Sequence, residues 1–178
     1  MPRNRLPPWH EEFVLPNRRT ILIRPIRPED AAPLQGVFAL LGPDEVRAGF
    51  AEGALDESAA ARLARPDPRN ELVLVGAEPL PPGEAMIAGL ARARLVPGTR
   101  QAEYAILLGS YVAGLGLGRH LMQKLVKWSR GRYLDRLYGD VPEDNGPMLD
   151  LAASMGFRPE LGAAPPGLVR LVLDLPPA

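Results

Sequence analysis

The sequence predicts one α/β or α+β domain in which helices pack against a single β-sheet. Short apolar segments bounded by turn residues, which are typical of strands, recur from residue 19 to residue 175. The clearest amphipathic helix lies between two of these segments and follows a glycine-rich turn. Because helical segments separate the strands, the order of elements favours a sheet with helices on its faces.

The predicted elements follow one another along 178 residues, a length that suits one domain with a sizeable core. Apolar or alternating segments predict strands at 19–26, 70–78, 84–96, 100–110, 135–141 and 167–175. Helical spacing and helix-end signals predict helices at 27–42, 43–53, 56–65, 116–130 and 145–157. Residues 1–17, rich in Pro and Arg, are expected to form a loose leader, and residues 18–178 a single domain.

Composition argues against several classes of function. The formal net charge is zero, so the chain has no global field that would attract nucleic acid or an anionic membrane. Cysteine is absent, which rules out disulfides, thiolate metal ligands and a cysteine nucleophile. No cluster of His, Asp and Glu in the sequence has metal-ligand spacing. The sequence shows neither a signal peptide nor an apolar run of about 20 residues, so we expect a cytoplasmic protein without a metal.

The segment SYVAGLGLGRHLMQKLV (110–126) contains the strongest indication of a ligand site. Its three glycines lie between a predicted strand and a predicted helix, where backbone N–H groups can converge on an anion. Arg119 follows in the first helical turn, although the helix dipole disfavours a cation there. No acidic residue occurs between Glu103 and Asp135. The same interval holds Arg119, His120, Lys124, Lys127, Arg130 and Arg132.

This local excess of basic residues predicts a phosphate-rich ligand, with a solvated helix face as the alternative for Lys124 and Lys127. Two known nucleotide motifs fit less well. The spacing G-x-G-x-G differs from the G-x-G-x-x-G of dinucleotide-binding folds, although Asp140 could imitate their ribose-binding acid. A Walker A loop requires Gly-Lys-Ser/Thr, which does not follow these glycines.

These residues resemble the GNAT superfamily of N-acetyltransferases, and the resemblance extends from about Arg19 to Leu175. The cofactor signature Gln/Arg-x-x-Gly-x-Gly/Ala aligns with residues 113–118. A second signature, an Asn at a helix start that leads to a Gly-Phe ending, aligns with 145–157. Within the superfamily the chain looks most like bacterial protein lysine acetyltransferases of the Pat type. The segments that carry this likeness are IRPIRPED, AEYAILLGSYVAGLGLG and MLDLAASMGF.

The resemblance implies a mixed, mostly antiparallel sheet of about six to seven strands, flanked by helices, with a cofactor cleft between two splayed strands. Acetyl-CoA is the implied co-substrate. Its pantetheine arm would pair with the backbone at Leu107 and Leu108, and its pyrophosphate would lie on amides of residues 115–119. The implied cofactor-binding residues are Leu107, Leu108, Ala113, Gly114, Leu115, Gly116, Leu117, Gly118, Arg119 and Asn145.

Three positions depart from the family pattern. Ala113 replaces the leading Gln or Arg of the cofactor signature, and Leu115 stands where a basic residue is common, so phosphate contacts are fewer. Ala152 stands where many members carry a Tyr as general acid, and Pat-type members resemble this chain in lacking it. We therefore expect weaker cofactor binding rather than lost activity.

Glu103 is the candidate general base, because an amine acceptor is mostly protonated at neutral pH and must lose a proton before it attacks. Strand alternation places Glu103 on the same face as Ala105 and Leu107. In Pat-type members a Glu at this strand position is similar in placement to the catalytic base. The alternative is an exposed strand residue without a catalytic role. Other candidates for proton transfer are His10, His120, Tyr104 and Tyr111.

The residues and the resemblance together predict an N-acetyltransferase that transfers the acetyl group of acetyl-CoA to a primary amine within a ternary complex. A protein lysine is the expected acceptor, and the Pat-type likeness implies a lysine of an acyl-CoA synthetase. Two alternatives are a CoA-binding regulatory module with little catalysis and an acetyltransferase for a small-molecule amine. A nucleic-acid binder is a weaker alternative, because few aromatic residues lie near the basic helix.

Overall fold

The computed structural model describes residues 10–38, 57–109, 114 and 116–176. The strands are Glu11–Val14 (β1), Thr20–Pro25 (β2), Glu71–Ala77 (β3), Ile87–Leu95 (β4), Gln101–Leu108 (β5), Arg136–Pro142 (β6), Arg158–Glu160 (β7) and Leu168–Asp174 (β8). The α-helices are Ala31–Phe38 (α1), Glu57–Leu63 (α2), Leu117–Gly131 (α3) and Gly146–Ser154 (α4). A 3-10 turn, Pro28–Asp30, precedes α1. The helix predicted at 43–53 lies outside the described residues.

The described strands form one mixed sheet in the order β1-β2-β3-β4-β5-β6-β8-β7. Every neighbouring pair is antiparallel except β5 and β6, which run parallel. Their pairing covers only the first three residues of each strand and stops at Glu103 opposite Tyr138, although both strands continue. The sheet therefore opens between β5 and β6, and the predicted mixed, mostly antiparallel sheet with helices on its faces is confirmed.

Two strands were not predicted, which raises the number from six or seven to eight. Strand β1 lies inside residues 11–14, so the expectation of a loose leader extending to residue 17 is wrong at its C-terminal end. The segment EEFV is too short to show a period by itself, and its pairing with β2 makes it a strand. Strand β7 has three residues, contains Pro159 and occupies the sheet edge, where proline is tolerated.

The two faces of the sheet carry two hydrophobic clusters. The larger packs under α3, whose buried face includes Leu117, Leu121 and Leu125. The smaller lies under α1 and α2. Strand β5 contributes to both, since Tyr104 belongs to the first cluster and Ala105 and Leu107 to the second. Among the helices described here, none combines the length and the apolar character needed to cross a membrane.

Tyr104 packs into the sheet where β5 and β6 are still paired. Its ring lies over Gly139 and meets the ring of Phe157 edge-on, with centroids 5.4 Å apart. A Cβ atom at position 139 would lie 2.6 Å from the Tyr104 ring, so β6 needs glycine there. The Tyr104 hydroxyl is buried and has no hydrogen-bond partner in the structure, and burial raises the pKa of Tyr104 well above its usual value.

We expect Gly139→Ala to lower the free energy of unfolding by about 1–3 kcal/mol, because the added methyl group overpacks the core against a ring that cannot move away freely. Urea denaturation measures this difference. Gly131→Ala is the matched control, since nothing lies within 4 Å of a Cβ at this exposed helical position. There the same substitution should stabilise by about 0.5–1 kcal/mol. Equal effects of the two substitutions would contradict this account.

Strand β1 is fastened to the start of α3 by a small ionic cluster. The Glu11 carboxylate lies 2.9 Å from His120 Nε2 and 2.5 Å from Lys124 Nζ. The Phe13 ring lies 4.9 Å from the His120 ring, and the Phe13 ring edge approaches the backbone at Gly116. The hydrogen bond from Lys124 is the main cause of a lowered pKa of Glu11, while partial burial opposes it.

Because the pKa of Glu11 is lowered in the folded state, its stabilising effect is present at neutral pH and disappears as the pH falls through that lowered pKa. We expect Glu11→Gln to cost about 0.5 kcal/mol at pH 7, as for a partly exposed pair, and less in high salt. Urea denaturation at pH 7 and below pH 4 tests whether the stability cost of Glu11→Gln is present at neutral pH and shrinks in acid. The neighbouring Glu12→Gln serves as control, and a cost that did not shrink at low pH would refute the assignment.

Candidate functional site

A cavity of about 320 Å³ lies where the sheet opens. One wall is the C-terminal half of β5, at Ile106, Leu107 and Leu108. The turn before α3 and the first residues of that helix form the second wall, with Gly114, Gly116, Gly118 and Arg119. The first two turns of α4 close the third side, with Asn145, Pro147, Met148 and Leu151. The walls thus come from three segments that are distant in the sequence.

Glycine occupies positions 114, 116 and 118 for different structural reasons. Gly114 and Gly116 have φ angles of 77° and 89°, in the left-handed region that favours glycine, and Gly116 is the N-cap residue of α3. Gly118 allows close approach of α3 to β5, since a Cβ there would lie 3.0 Å from Leu108 Cδ1. The first backbone N–H groups of α3 have no acceptor within the helix, so they are available to an anion.

Seven of the ten predicted cofactor-binding residues line this cavity. Leu117 is completely buried in the core beneath α3. Ala113 and Leu115 lie outside the described residues. Asn145 combines two features, because its side-chain oxygen accepts a hydrogen bond from the Met148 backbone N–H at 3.4 Å and the residue also lines the cavity. It therefore caps α4, as predicted, at the rim of the site.

Arg119 is exposed at the mouth of the cavity, where its guanidinium donates a hydrogen bond to Ser154 Oγ at 2.7 Å. This hydroxyl is neutral, so the contact orients the cation without cancelling its charge. A second groove continues from Arg119 between α3 and the end of α4, lined also by Lys127, Arg130 and Met155. A positive surface thus extends from the glycine turn along one side of α3.

The interval between Glu103 and Asp135 has no acidic residue in the sequence, but in the folded structure an acidic side chain from β1 contacts it. Glu11, from the segment expected to be a loose leader, pairs with His120 and Lys124. Arg132 packs over the Trp128 ring at 4.7 Å and donates to the Pro68 and Arg69 carbonyl oxygens. Glu11 offsets the charge of Lys124, and the contacts of Arg132 hold its cation elsewhere, so the positive charge beside the cavity and groove comes from Arg119, Lys127 and Arg130.

Glu103 is the last residue of β5 that pairs with β6, so it stands at the point where the sheet begins to open. Its side chain is 29% exposed and lies 3.7 Å from an Arg94 guanidinium nitrogen. The strand register places Glu71, Arg94, Glu103 and Tyr138 side by side across four strands. Glu103 is thus a partly buried carboxylate beside a cation, three residues before Ile106, where β5 begins to line the 320 Å³ cavity.

Arg94 and Tyr138 are neighbours of Glu103 that the sequence analysis missed. Burial is the main cause of a raised pKa of Tyr138, and the Glu103 charge adds to it, so this phenol stays protonated at neutral pH. Arg170 lies over the Tyr138 ring at 4.7 Å and is held by Asp140 at 2.9 and 3.1 Å. No sequence motif marks this group, because strand pairing creates it: the antiparallel β4–β5 hairpin brings Arg94 beside Glu103, and the parallel pairing of β5 with β6 brings Tyr138.

The other candidates for proton transfer have different surroundings. His120 contacts Glu11 and Phe13 at the start of α3. His10 lies in a separate pocket beside Arg24 and Arg27. Tyr104 is buried in the core, and Tyr111 lies outside the described residues. Ala152 is completely buried, so α4 presents no hydroxyl at that position.

Comparison with known proteins identifies the fold and the family. The chain superimposes on the GNAT domain of Streptomyces lividans PAT with a TM-score of 0.76 and 21% identity, over 96% of this chain and 100% of that one. A ribosomal-protein-alanine N-acetyltransferase from Brucella melitensis gives 0.65 and 20%, over 86% of this chain and 99% of that one. Spermidine N-acetyltransferase from Vibrio cholerae, solved with CoA and spermine, gives 0.66 and 16%, over 86% and 95%.

At these identities the solved structures establish the fold and leave the acceptor of this chain open. The model of the Acetyltransferase (GNAT) family matches residues 36–157, more than half of the chain. That match includes β5, the glycine turn, α3 and α4, which build the cavity. The chain therefore belongs to the GNAT family of acetyltransferases, which are acyl-CoA-dependent N-acetyltransferases.

Proposed function

We propose that this protein transfers an acetyl group from acetyl-CoA to the side-chain amine of a protein lysine, with Glu103 as general base. The observation that carries this proposal is the opening of the sheet directly after Glu103, since it leaves a partly buried carboxylate at the start of the open part of β5, and the end of the same strand lines the cavity at the α3 N-terminus. The candidate base therefore lies on β5, and the candidate anion site lies on the turn that follows this strand.

The residues present fit the shape and charge of acetyl-CoA. Beyond Glu103, the edge of β5 that faces β6 has no pairing with that strand, so backbone groups near Leu107 and Leu108 are available to the pantetheine amides. The positive φ angles at Gly114 and Gly116 present backbone toward the cavity without side chains in the way. The N-terminal amides of α3 and the Arg119 guanidinium supply positive charge for the pyrophosphate.

The chemistry requires a base because a lysine amine, with a pKa of about 10.4, is mostly protonated at neutral pH. Acetyl-CoA supplies a thioester whose acyl carbon forms the new C–N bond as the C–S bond to CoA breaks. Glu103 accepts the proton of the ammonium group, directly or through one water. The Arg94 guanidinium orients the Glu103 carboxylate. The protonated Tyr138 on its other side can donate a hydrogen bond to the same carboxylate.

The choice of a protein lysine rests on the likeness to the S. lividans PAT domain, which covers nearly the whole chain, and an acyl-CoA synthetase is the acceptor class that this likeness favours. We place the reaction in the cytoplasm, where acetyl-CoA and such enzymes meet. The likeness to enzymes named for spermidine and for ribosomal-protein alanine supports other amines as alternatives. A CoA-binding module with little catalysis is the second candidate, favoured by the buried Ala152 on α4.

Glu103→Gln should lower kcat by at least about 100-fold on any lysine peptide that the wild type acetylates, because general base catalysis contributes roughly 10²–10⁴-fold. Acetyl-CoA binding should stay near normal. Glu71→Gln is the matched control, since Glu71 flanks Arg94 from the other side, away from the opening. Thiol release measures turnover. Full activity of Glu103→Gln would disprove the base assignment, and binding without turnover by the wild type would favour the regulatory module.

Acetyl-CoA at 100 times its dissociation constant should raise the melting temperature by roughly 5–10 °C, equivalent to about 2.7 kcal/mol for a domain of this size. NAD and ATP at the same concentration should have little effect.

Gly116→Ala places a side chain on left-handed backbone, at a cost of about 1–2 kcal/mol. We expect the turn to relax to another conformation in the free variant, so that binding must restore the left-handed backbone and becomes about tenfold weaker. Gly36→Ala, on α1 with open space around its Cβ, should bind normally. Unchanged binding by Gly116→Ala would contradict the proposed role of this turn.

A further inference from the structure

The acetyl transfer proposed above, on which this inference rests, leaves one proton to be delivered. A thiol such as that of cysteine has a pKa of about 8.5, so a thiolate released at neutral pH takes up a proton. The described residues that line the 320 Å³ cavity carry no hydroxyl and no carboxyl group. Arg119, the charged residue among them, holds its protons too tightly to supply one. The proton donor for the sulfur therefore has to come from beside the cavity.

Tyr138 brings a hydroxyl group to the place where the sheet opens. It pairs with Glu103 in the parallel register of β5 and β6, and neighbouring strands lie about 4.8 Å apart. Paired residues on neighbouring strands point to the same face, so this phenol and this carboxylate stand side by side. An acyl-CoA arm that runs along the open edge of β5, away from the α3 N-terminus, would bring its thioester toward this pair.

The Tyr138 ring is held in place from the side of β8. The Arg170 guanidinium lies over it, 4.7 Å from the ring centroid, and Asp140 fixes that guanidinium through contacts of 2.9 and 3.1 Å. The charged groups that face the ring come from four strands: Arg94 on β4, Glu103 on β5, Asp140 on β6 and Arg170 on β8. Burial is the main cause of the raised pKa of Tyr138 and the Glu103 charge adds to it, whereas Arg170 opposes it and so favours a transient phenolate.

We propose that Tyr138 is the general acid of this enzyme and that, together with Glu103, it relays a proton from the amine nitrogen to the CoA sulfur. Once Glu103 is protonated, its O–H donates to the phenol oxygen, and the phenol O–H is free to donate to the sulfur. As the C–N bond forms and the C–S bond breaks, the sulfur takes the Tyr138 proton and Tyr138 takes the Glu103 proton.

This sequence of steps balances. The ammonium nitrogen loses two protons in all: the first passes through Glu103 to water before the attack, and the second ends on the sulfur. The electron pair of the broken C–S bond stays on the sulfur. The products are the acetylated amine, the free thiol of CoA and one proton in solution.

Tyr138→Phe tests the relay, because it removes the hydroxyl and keeps the ring beneath Arg170. On a lysine peptide that the wild type acetylates, kcat measured by thiol release should fall at least about tenfold, the lower part of the range for acid–base catalysis, since water partly replaces the phenol. Acetyl-CoA binding should stay near normal. Tyr133→Phe is the matched control, because Tyr133 is 77% exposed beyond the end of α3, and it should keep the wild-type kcat.

A second measurement needs no turnover. 3-Fluorotyrosine, a more acidic phenol than tyrosine, is placed at position 138, and its ¹⁹F resonance is followed as the pH rises. Glu103→Gln should move this titration to lower pH by about 0.5–1, because a neighbouring negative charge opposes formation of the phenolate. Glu71→Gln, on the far side of Arg94, should leave it nearly unchanged. In the fluorinated enzyme the alkaline fall of kcat should move to lower pH together with the phenol.

The relay is overturned by full activity of Tyr138→Phe, by an equal loss in Tyr133→Phe, by a loss in Tyr111→Phe instead, or by a titration at position 138 that does not respond to Glu103→Gln. In each of these cases an active wild type and an impaired Glu103→Gln leave the proposed acetyl transfer intact. A wild type that binds acetyl-CoA but acetylates no amine would overturn the proposed function, and the relay with it.

Discussion

The architecture depends on a parallel pairing between β5 and β6 that is only three residues long. If the two strands paired along their full length, the edge of β5 would be satisfied and no cavity would exist between them. Because the pairing stops at Glu103 and Tyr138, backbone N–H and C=O groups of β5 that would otherwise form hydrogen bonds with β6 remain available to a ligand. The same boundary determines where Glu103 stands relative to the cavity, so the site and the fold share one structural cause.

Close packing holds the opening in place. Tyr104 fits over Gly139 on the paired side of the boundary, and Gly118 lets α3 approach β5 on the open side. At Gly139 the Tyr104 ring already occupies the space of a Cβ, and at Gly118 a Cβ would crowd the Leu108 and Leu151 side chains. The glycines of this chain thus serve two purposes: Gly114 and Gly116 adopt left-handed backbone, whereas Gly118 and Gly139 permit close approach.

Electrostatics in this neutral chain is local. Glu11 from β1 cancels charge at the start of α3, while Arg119, Lys127 and Arg130 keep a positive surface beside the cavity. On the other side of the sheet the buried Arg24 guanidinium donates to both Asp30 oxygens, so these two opposite charges offset each other inside the fold. Zero net charge therefore coexists with a local positive surface beside the cavity.

The sequence alone determined the elements whose signals are local. The apolar patterns of β2, β3 and β5, the buried face of α3, the Asn145 cap and the glycine turn are predicted from the order and spacing of neighbouring residues, because local backbone geometry depends on them. The motifs also indicated the family and most of the residues that line the cavity. Strand β1 escaped prediction because four residues carry no period, and it exists only through its pairing with β2 and its contacts with α3.

Only the tertiary structure decided which distant residues meet. Tyr138 flanks Glu103 because the parallel register of β5 and β6 aligns residues far apart in the chain, while the register of the β4–β5 hairpin places Arg94 on the other side of Glu103. Glu11 neutralises part of a helix more than a hundred residues away for the same reason. The opening between β5 and β6 is likewise a property of two strands together, since neither carries in its own sequence the point at which their pairing ends.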